Sequence, residues 1–281
     1  MDQKAPLLDR IMVAVGDLHS AAKDFERVLG FPPAQQDYQA DDGTDRVVFP
    51  FDNTALEVVA PASPGSGSDA ISTHLEHHGE SLFGLAFSVE KLDVFAAQLR
   101  VRGVATALPS TGGNTSDSIG SEQRELLLPA HHSRGIHILV RQHDSLPERS
   151  TACVKEHAIN AVDHIVINTS SGDAAAEFYS KLLGIRLALQ QNMPQWGGDM
   201  LFFRTSHMSI EVIANLKHNE QRDSLWGIAF NTMEIEPTRR RLIAAGVNVS
   251  TLRDGRKGGT RVCTIKSHCR GIPTLLLGSA D

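Results

Sequence analysis

The sequence contains few of the residues that mark several common protein classes. It has three cysteines in 281 residues (Cys153, Cys263 and Cys269), too few and too oddly numbered for a disulfide framework. No apolar run approaches the roughly 18 residues of a membrane helix. No run of Lys or Arg is present to bind nucleic acid, and the net charge is −6. These absences predict a protein that has neither a nucleic-acid partner nor a membrane partner.

The remaining composition is that of a globular protein. Hydrophobic residues make up 41% of the chain, enough for a packed core, and the length is about twice that of a common domain. The first ten residues lack the basic start and apolar run of a signal peptide, so we expect a cytoplasmic protein. Aromatic residues make up only 5% of the chain, which disfavours a pocket that holds its ligand by aromatic stacking.

The chain repeats itself, which fixes its organisation. Residues 7–31 align with residues 161–185 at an offset of 154, and Asp9 and Gly30 fall on Asp163 and Gly184. Two further pairs follow at shorter offsets, since the first half carries an extra Gly/Ser/Thr-rich loop at 109–121: they are 81–87 with 224–230, and 132–136 with 268–272. We therefore predict two tandem domains, 1–148 and 149–281, with the boundary near residue 150.

Each half divides again into two similar parts. A short apolar strand leads into an amphipathic helix that begins near Asp17 in the first half and at 170–173 in the second, and ends at Gly30 or Gly184 as a glycine cap requires. Three short strands follow. The second part of each half repeats strand, helix and strands, with helices predicted at 92–101 and 237–245. Four βαβββ units account for the sequence.

These residues resemble the vicinal oxygen chelate superfamily, which includes glyoxalase I, methylmalonyl-CoA epimerase, extradiol dioxygenases and the bleomycin- and fosfomycin-resistance proteins. The resemblance rests on 162–166 (VDHIV), 175–184 (AAEFYSKLLG) and 210–213 (IEVI), and it extends over nearly the whole chain. It implies an α+β fold of four βαβββ modules, paired into two tandem glyoxalase-like half-barrel domains. In that superfamily the concave floor of a domain holds a divalent metal.

Only two of the family's four ligand positions carry a possible metal-binding side chain in the second half of this chain. In the second half they carry over to His164, Glu211, Gly227 and Leu275. A ring-cleaving dioxygenase needs two histidines and a carboxylate, and a glyoxalase needs four ligands, so the resemblance implies neither activity here. Strand alternation predicts a pocket in the second half, with Trp226 near its mouth. Its lining residues are His164, Asn168, Ser209, Glu211 and Asn231.

Three interpretations of His164 and Glu211 remain open. They form a structural hydrogen-bonded pair, or they act as a general acid/base or substrate-orienting pair without metal. Alternatively, they hold a divalent metal (Zn, Mn, Ni or Fe), and water, substrate or another ligand such as His207 completes its coordination.

The other charged positions have simpler interpretations. In the first half, Arg10 replaces His164 beside Glu57, which favours a structural salt bridge over an anion-binding site. His268 and Arg270 recur as His132 and Arg134 in the first half. They belong either to a turn before the last strand or to the rim of the pocket, where they would contact an acidic or carbonyl substrate. His74, His77 and His78 indicate a solvated face rather than a metal site.

The leading functional hypothesis is therefore a small-molecule enzyme whose pocket lies in the second domain. Glu211 would be the base and His164 its partner or a metal ligand, in proton transfer beside a carbonyl, as isomerases, epimerases and lyases perform it. The alternative is a protein that binds or sequesters a small molecule without turnover. The first domain would then be a degenerate copy with a structural role or a homodimer contact.

Overall fold

The computed structural model describes residues 5–38, 42–106, 110–111, 124–142, 154–196, 198–205, 207–215 and 222–280. Within these ranges the chain forms four βαβββ modules, so the predicted α+β fold is confirmed. The first module comprises β1 (Leu7–Ala14), α1 (Leu18–Leu29), β2 (Gln35–Asp37), β3 (Thr44–Pro50) and β4 (Ala55–Pro61).

A connecting helix and the second module complete the first half. The helix α2 (Ser66–His78) joins the modules and is absent from the sequence-based prediction. The predicted loop at 109–121 lies outside the described residues, except for the short strand that begins at Ser110. The second module comprises β5 (Ser81–Val89), α3 (Leu92–Val101), β6 (Ser110–Thr111), β7 (Arg124–Leu127) and β8 (His137–Gln142).

The second half repeats this order. In the third module the predicted single helix is divided into α4 and a π-helical turn, Glu177–Leu182. The third module comprises β9 (Ala161–Thr169), α4 (Gly172–Ala176), β10 (Arg186–Met193), a 3-10 turn (Pro194–Trp196), β11 (Gly198–Thr205) and β12 (Met208–Asn215). The fourth comprises β13 (Ser224–Asn231), α5 (Ile235–Ala244), β14 (Arg253–Asp254), β15 (Thr260–Ile265) and β16 (Thr274–Ser279).

The two halves have the same sheet topology. The first eight strands form one sheet in the order β2-β3-β4-β1-β5-β8-β7-β6, and the second eight form another in the order β10-β11-β12-β9-β13-β16-β15-β14. Adding eight to each strand number of the first sheet gives the second. Neighbours β5 and β8 are parallel, as are β13 and β16. The predicted internal duplication is therefore confirmed at the level of strand order.

The chain forms two compact units, each made of three segments. Unit 1 contains Met1–Ile11, Phe83–Ser145 and Val166–Leu225. Unit 2 contains Met12–Leu82, Leu146–Ile165 and Trp226–Asp281. The predicted domain boundary near residue 150 stays a prediction.

Each unit has an apolar core with aromatic rings at its centre. In unit 2, Phe49 lies 6.3 Å from both Phe25 and Phe31, and Phe51 lies 5.5 Å from Phe230, measured between ring centroids. In unit 1, Tyr179 packs against Phe203 at 5.1 Å. Burial of such rings supplies much of the hydrophobic free energy of folding. The scarce aromatic residues are thus used largely as core.

Local sequence signals account for the ends of the first helix in each half. Asp17 precedes α1 and accepts a hydrogen bond from the Ser20 backbone N at 3.0 Å. Gly30 ends α1 with a φ of 87°, in the left-handed region that favours glycine. Ser171 caps α4 in the same way, since its side chain accepts a hydrogen bond from the Ala174 backbone N at 3.2 Å. These capping residues confirm the expected limits of α1 and the expected start of α4.

The described helices are too short or too polar for a membrane span.

Candidate functional site

Glu57 on β4 is held in an ion pair by a neighbouring strand. Its carboxylate is buried, and Arg46 of β3 places Nη1 3.5 Å from Glu57 Oε1. The second guanidinium nitrogen, Nη2, lies 2.6 Å from Asp42 Oδ2. Burial lowers the pKa of Arg46, but Glu57 and Asp42 outweigh burial and the net pKa is raised. In unit 2 the carboxylate at this family position is therefore neutralised by protein charge.

Arg46 was missed by the sequence analysis. The sequence predicted Arg10 as the cation for Glu57, because Arg10 stands at the family's ligand position. Arg10 lies on β1 in unit 1, where it is buried and its Nε is 3.7 Å from Asp9 Oδ2. Its pairing with Glu57 stays a prediction. An alternating strand pattern shows which face a residue is on, but gives no signal for the charge partner that an adjacent strand supplies.

Glu211 on β12 has a different neighbour from Glu57. The position equivalent to Arg46, 154 residues later, is Met200, which is buried on β11. Glu211 itself is half-buried and lies opposite Phe202 across the β11–β12 pair. The position of the arginine that pairs with Glu57 is therefore occupied by an apolar side chain in the second half.

A hydroxyl and a guanidinium lie on the same face of the β11–β12 pair as Glu211. Arg204 is opposite Ser209, and its Nη1 donates a hydrogen bond to Ser209 Oγ at 2.8 Å. Strand alternation places Ser209 and Glu211 on one face, and their cross-strand partners Arg204 and Phe202 on the same face. Arg204 is a candidate functional residue that the sequence analysis missed. A lone arginine in an alternating strand has no distinguishing pattern.

His164 on β9 has one ring nitrogen engaged by a carboxylate. Its Nδ1 lies 2.8 Å from Asp163 Oδ2, and the side chain is 14% exposed. When the carboxylate accepts a hydrogen bond from Nδ1–H, Nε2 is the nitrogen that would act as base, acid or ligand. Asn168 lies four residues further along the same strand and is half-buried. The predicted shared face of His164 and Asn168 stays a prediction.

The remaining family positions of the second half carry no donor side chain. Gly227 is buried on β13, and a Cβ added there would lie 2.7 Å from the Pro273 carbonyl oxygen. Leu275 is on β16, paired with Ala229. Two other pocket candidates lie on β13, where Trp226 is 50% exposed and Asn231 is half-buried. A side chain at this position, such as the histidine of a family-type metal site, would therefore require the Pro273 carbonyl group to shift.

The donors present do not fit a metal centre of the family type. Only two of the four family positions, His164 and Glu211, carry side chains that can bind a metal ion. Two protein ligands hold Zn²⁺ or Mn²⁺ weakly. In the ranges that the structure describes, no group of three His, Cys, Asp or Glu side chains is arranged to hold a metal. His207, the additional ligand considered, lies exposed in the turn between β11 and β12.

Gly227→Ala tests this packing. Because its new methyl group meets a backbone carbonyl, we expect the free energy of unfolding to fall by about 1–3 kcal/mol. Gly258→Ala is the matched control, since an added Cβ there has no atom within 4 Å, and we expect a change below about 0.5 kcal/mol. Urea denaturation measures both. Equal stability of the two variants would show that the space at Gly227 is not restricted.

His268 and Arg270 are bonded within unit 2. They have positive φ angles of 64° and 51° in the turn before β16. Arg270 Nη2 lies 2.6 Å from Asp24 Oδ2, and its Nη1 lies 3.3 Å from Glu80 Oε2. His268 Nε2 lies 3.0 Å from Arg27 Nη1. These contacts give both side chains a structural task, and the predicted contact with substrate stays a prediction.

Unit 1 contains the equivalent of this turn. Arg134, with a φ of 54°, places Nε 2.9 Å from both carboxylate oxygens of Asp223, whose side chain is 1% exposed. Nearby, Tyr179 is fully buried, and its hydroxyl has no hydrogen-bond partner in the described part of the chain. Burial raises the pKa of Tyr179 well above its usual value, and Asp223 raises it further. The recurrent Arg-Gly-Ile motif therefore anchors a turn in each unit.

Two other groups of residues have no features of a site. His74, His77 and His78 all lie on α2, where His74 Nε2 is 2.8 Å from Ser81 Oγ. Cys263 and Cys269 are buried and free, and burial raises the pKa of each thiol to about 11. Such thiols are unreactive near neutral pH. Cys153 lies outside the described residues.

Comparison with family models matches both halves of the chain. Residues 8–148 match the model described as a glyoxalase-like domain. Residues 163–264 match the model of the glyoxalase/bleomycin resistance protein/dioxygenase superfamily. No curated protein matches the chain.

Several solved structures have a similar fold at low sequence identity. A mutant of 4-hydroxymandelate synthase from Streptomyces coelicolor superposes with a TM-score of 0.70 at 16% identity, covering 98% of this chain and 93% of its own. The Mn(II)-bound glyoxalase from Novosphingobium aromaticivorans gives 0.68 at 12% identity, covering 100% of this chain and 84% of its own. A fusion of a xylose isomerase-like TIM barrel with 4-hydroxyphenylpyruvate dioxygenase gives 0.67 at 12% identity, covering 100% and 50%. At these identities the similarity shows the fold alone.

Proposed function

Because the chain belongs to the glyoxalase/bleomycin resistance protein/dioxygenase superfamily, with a matching model in each half, we propose that it is an enzyme that transfers a proton beside a carbonyl or similar oxygen group of a small substrate. The reaction is of the isomerase, epimerase or lyase type and is carried out by residues of the second half. Two side chains at the family's functional positions of the second half carry this proposal. They are His164, whose Nδ1 lies 2.8 Å from Asp163 Oδ2, and Glu211, which is half-buried on β12.

Glu211 is the proposed base. Its carboxylate is half-buried on β12, with Phe202 directly opposite on β11, and a carboxylate in contact with a substrate takes a proton as a general base. The proton leaves the carbon next to the substrate carbonyl, and the electron pair moves onto the carbonyl oxygen. General base catalysis of this kind contributes about 10²–10⁴-fold to a rate.

His164 is the proposed second proton-transfer group. Asp163 accepts a hydrogen bond from Nδ1, and Nε2 is the proposed atom that gives a proton to the substrate oxygen or takes one from it. The hydroxyl of Ser209 and the guanidinium of Arg204 are the proposed contacts for negative charge on the substrate. Asn168, Asn231 and Trp226 are the other proposed substrate contacts.

The proposed reaction requires no metal centre of the family type, since the donors present do not fit one. We expect purified protein to carry no stoichiometric Mn, Fe, Ni or Zn that depends on His164. Elemental analysis of the wild type and of His164→Ala measures this. A stoichiometric metal that is lost in the variant would contradict the expectation. It would support instead a metal held by His164 and Glu211 and completed by water or substrate.

Binding without turnover is the second candidate function. The half-exposed Trp226 indole at the start of β13 favours it, because indole rings often contact ligands at a pocket mouth. A panel of small carbonyl compounds distinguishes the two functions. Compounds that raise the melting temperature and exchange a carbon-bound proton with deuterated solvent support the enzyme. Compounds that raise the melting temperature without any exchange or consumption support the binding protein.

A further inference from the structure

A cavity of about 610 Å³ lies in unit 2, between α1 and the strands β2, β3 and β4. Its size falls within the range of small-molecule sites. Ala22 of α1, Val47 of β3 and Ala60 of β4 contribute apolar lining, and Pro33 and Pro61 lie at its margins. None of the proposed proton-transfer residues lines it. The cavity is thus separate from the proposed function and can be tested independently.

The helix α1 presents two polar faces, and only one of them is bonded. Ser20 and Asp24 accept hydrogen bonds from Arg270 Nη2 at 2.7 and 2.6 Å. His19, Lys23 and Glu26 lie at i, i+4 and i+7, which places them on one face, and all three line the cavity. Within the described part of unit 2 these three side chains make no hydrogen bond or ion pair. Their charges are therefore available to a ligand.

The charges at the cavity favour a cationic ligand. Asp17 and Glu26 contribute two carboxylates to the lining, against the single ammonium of Lys23. Asp17 uses one oxygen, Oδ1, to cap α1. Tyr38 lies at the rim with 57% of its surface exposed, and its hydroxyl donates to Gln36 Oε1 at 2.9 Å, which orients the ring. An exposed aromatic face attracts organic cations.

The equivalent positions of the third module make contacts of their own. Asn192, at the position of Tyr38, donates to Asp199 Oδ1 at 2.7 Å. Glu177, at the position of Lys23, pairs with Lys181 at 2.6 Å. The fold alone therefore does not produce unbonded charges at these positions.

From the cavity, its unbonded charges and its net negative lining, we propose that this groove of unit 2 binds a small organic cation, an amine joined to a hydrophobic body. The apolar body lies on Val47, Ala22 and Ala60, and the ammonium group lies among the carboxylates beside the Tyr38 ring.

Titrations of isotope-labelled protein, followed by heteronuclear NMR, test this proposal. The probes are phenethylamine, the neutral phenethyl alcohol and the anionic hydrocinnamate, which share a hydrophobic body and differ in charge. We expect phenethylamine to shift the resonances of α1 and to bind more tightly than either of the others. Absence of shifts on α1, or tighter binding of hydrocinnamate, would overturn the proposal.

Two substitutions on the same exposed helix face give opposite expected results. Glu26→Gln removes an attractive charge and should weaken phenethylamine binding about two- to fivefold, whereas Lys23→Gln removes a repulsive charge and should strengthen it by a similar factor. Glu177→Gln, in the equivalent region of the third module, is the control and should leave the affinity unchanged. A weaker affinity in both α1 variants, or no change in either, would contradict the proposed ligand charge.

Discussion

Glu211→Gln should abolish most of the turnover while leaving the protein folded. Glutamine has nearly the same shape as glutamate but cannot accept a proton at neutral pH, so the general-base contribution of about 10²–10⁴-fold should be lost. The half-buried position of Glu211 predicts a change in the free energy of unfolding below about 1 kcal/mol. Solvent deuterium incorporation into a carbonyl substrate, followed by NMR, measures the rate, and urea denaturation measures the stability.

Glu57→Gln is the matched control in the first half. It replaces the equivalent carboxylate by the same isosteric amide, but Arg46 then loses one of its two anionic partners. We therefore expect unchanged deuterium incorporation and a loss of stability of about 1–3 kcal/mol, because Arg46 remains partly buried. Wild-type incorporation in Glu211→Gln, or loss of incorporation in both variants, would contradict the assignment of the base to Glu211.

The fold was predictable from the sequence wherever a local signal coincided with the repeat. Asp17 and Gly30 mark the two ends of α1, because few other residues cap a helix as well at these positions. The helix α2 was missed, since its Ser, Gly and His content carries no clear helical pattern and its buried residues are few. The π-helical turn of the third module also lacks a sequence signal, because it differs from an α-helix in bonding rather than in composition.

The candidate site was predictable only in part, because the family pattern identifies the ligand positions but not the residues that lie beside them on adjacent strands. It identified Glu211 and Glu57 as equivalent carboxylates and identified Gly227 as a departure. It did not identify Arg46 or Arg204, whose importance depends on which residue lies across the adjacent strand. Nor did it explain Gly227, where the obstacle to a side chain is the backbone oxygen of Pro273. Such effects depend on tertiary contacts that no local sequence pattern contains.

Arg134→Met should be among the most destabilising single substitutions in the chain. The carboxylate of Asp223 is almost fully buried and receives both of its recorded hydrogen bonds from Arg134 Nε. Removing that cation leaves a buried charge without compensation, which costs about 3–5 kcal/mol. Chemical denaturation should show a lower midpoint with an unchanged slope, because the extent of the folded surface is not expected to change.

Arg270→Met shows whether the stability loss in Arg134→Met comes from the burial of the carboxylate partner or from the turn motif that both arginines share. It lies at the same place in the repeat, and its φ of 51° is close to the 54° of Arg134, so the backbone strain is similar in the two variants. Its partners Asp24 and Glu80 are 28% and 33% exposed, so water compensates much of their charge after the substitution. We expect a loss of about 1–2 kcal/mol, clearly smaller than that of Arg134→Met.

Combining Arg134→Met with Asp223→Asn should recover part of the larger loss, since the buried negative charge is removed together with its partner. Equal losses in the two single variants, or no recovery in the double variant, would show that the turn itself, rather than the burial of Asp223, determines the stability.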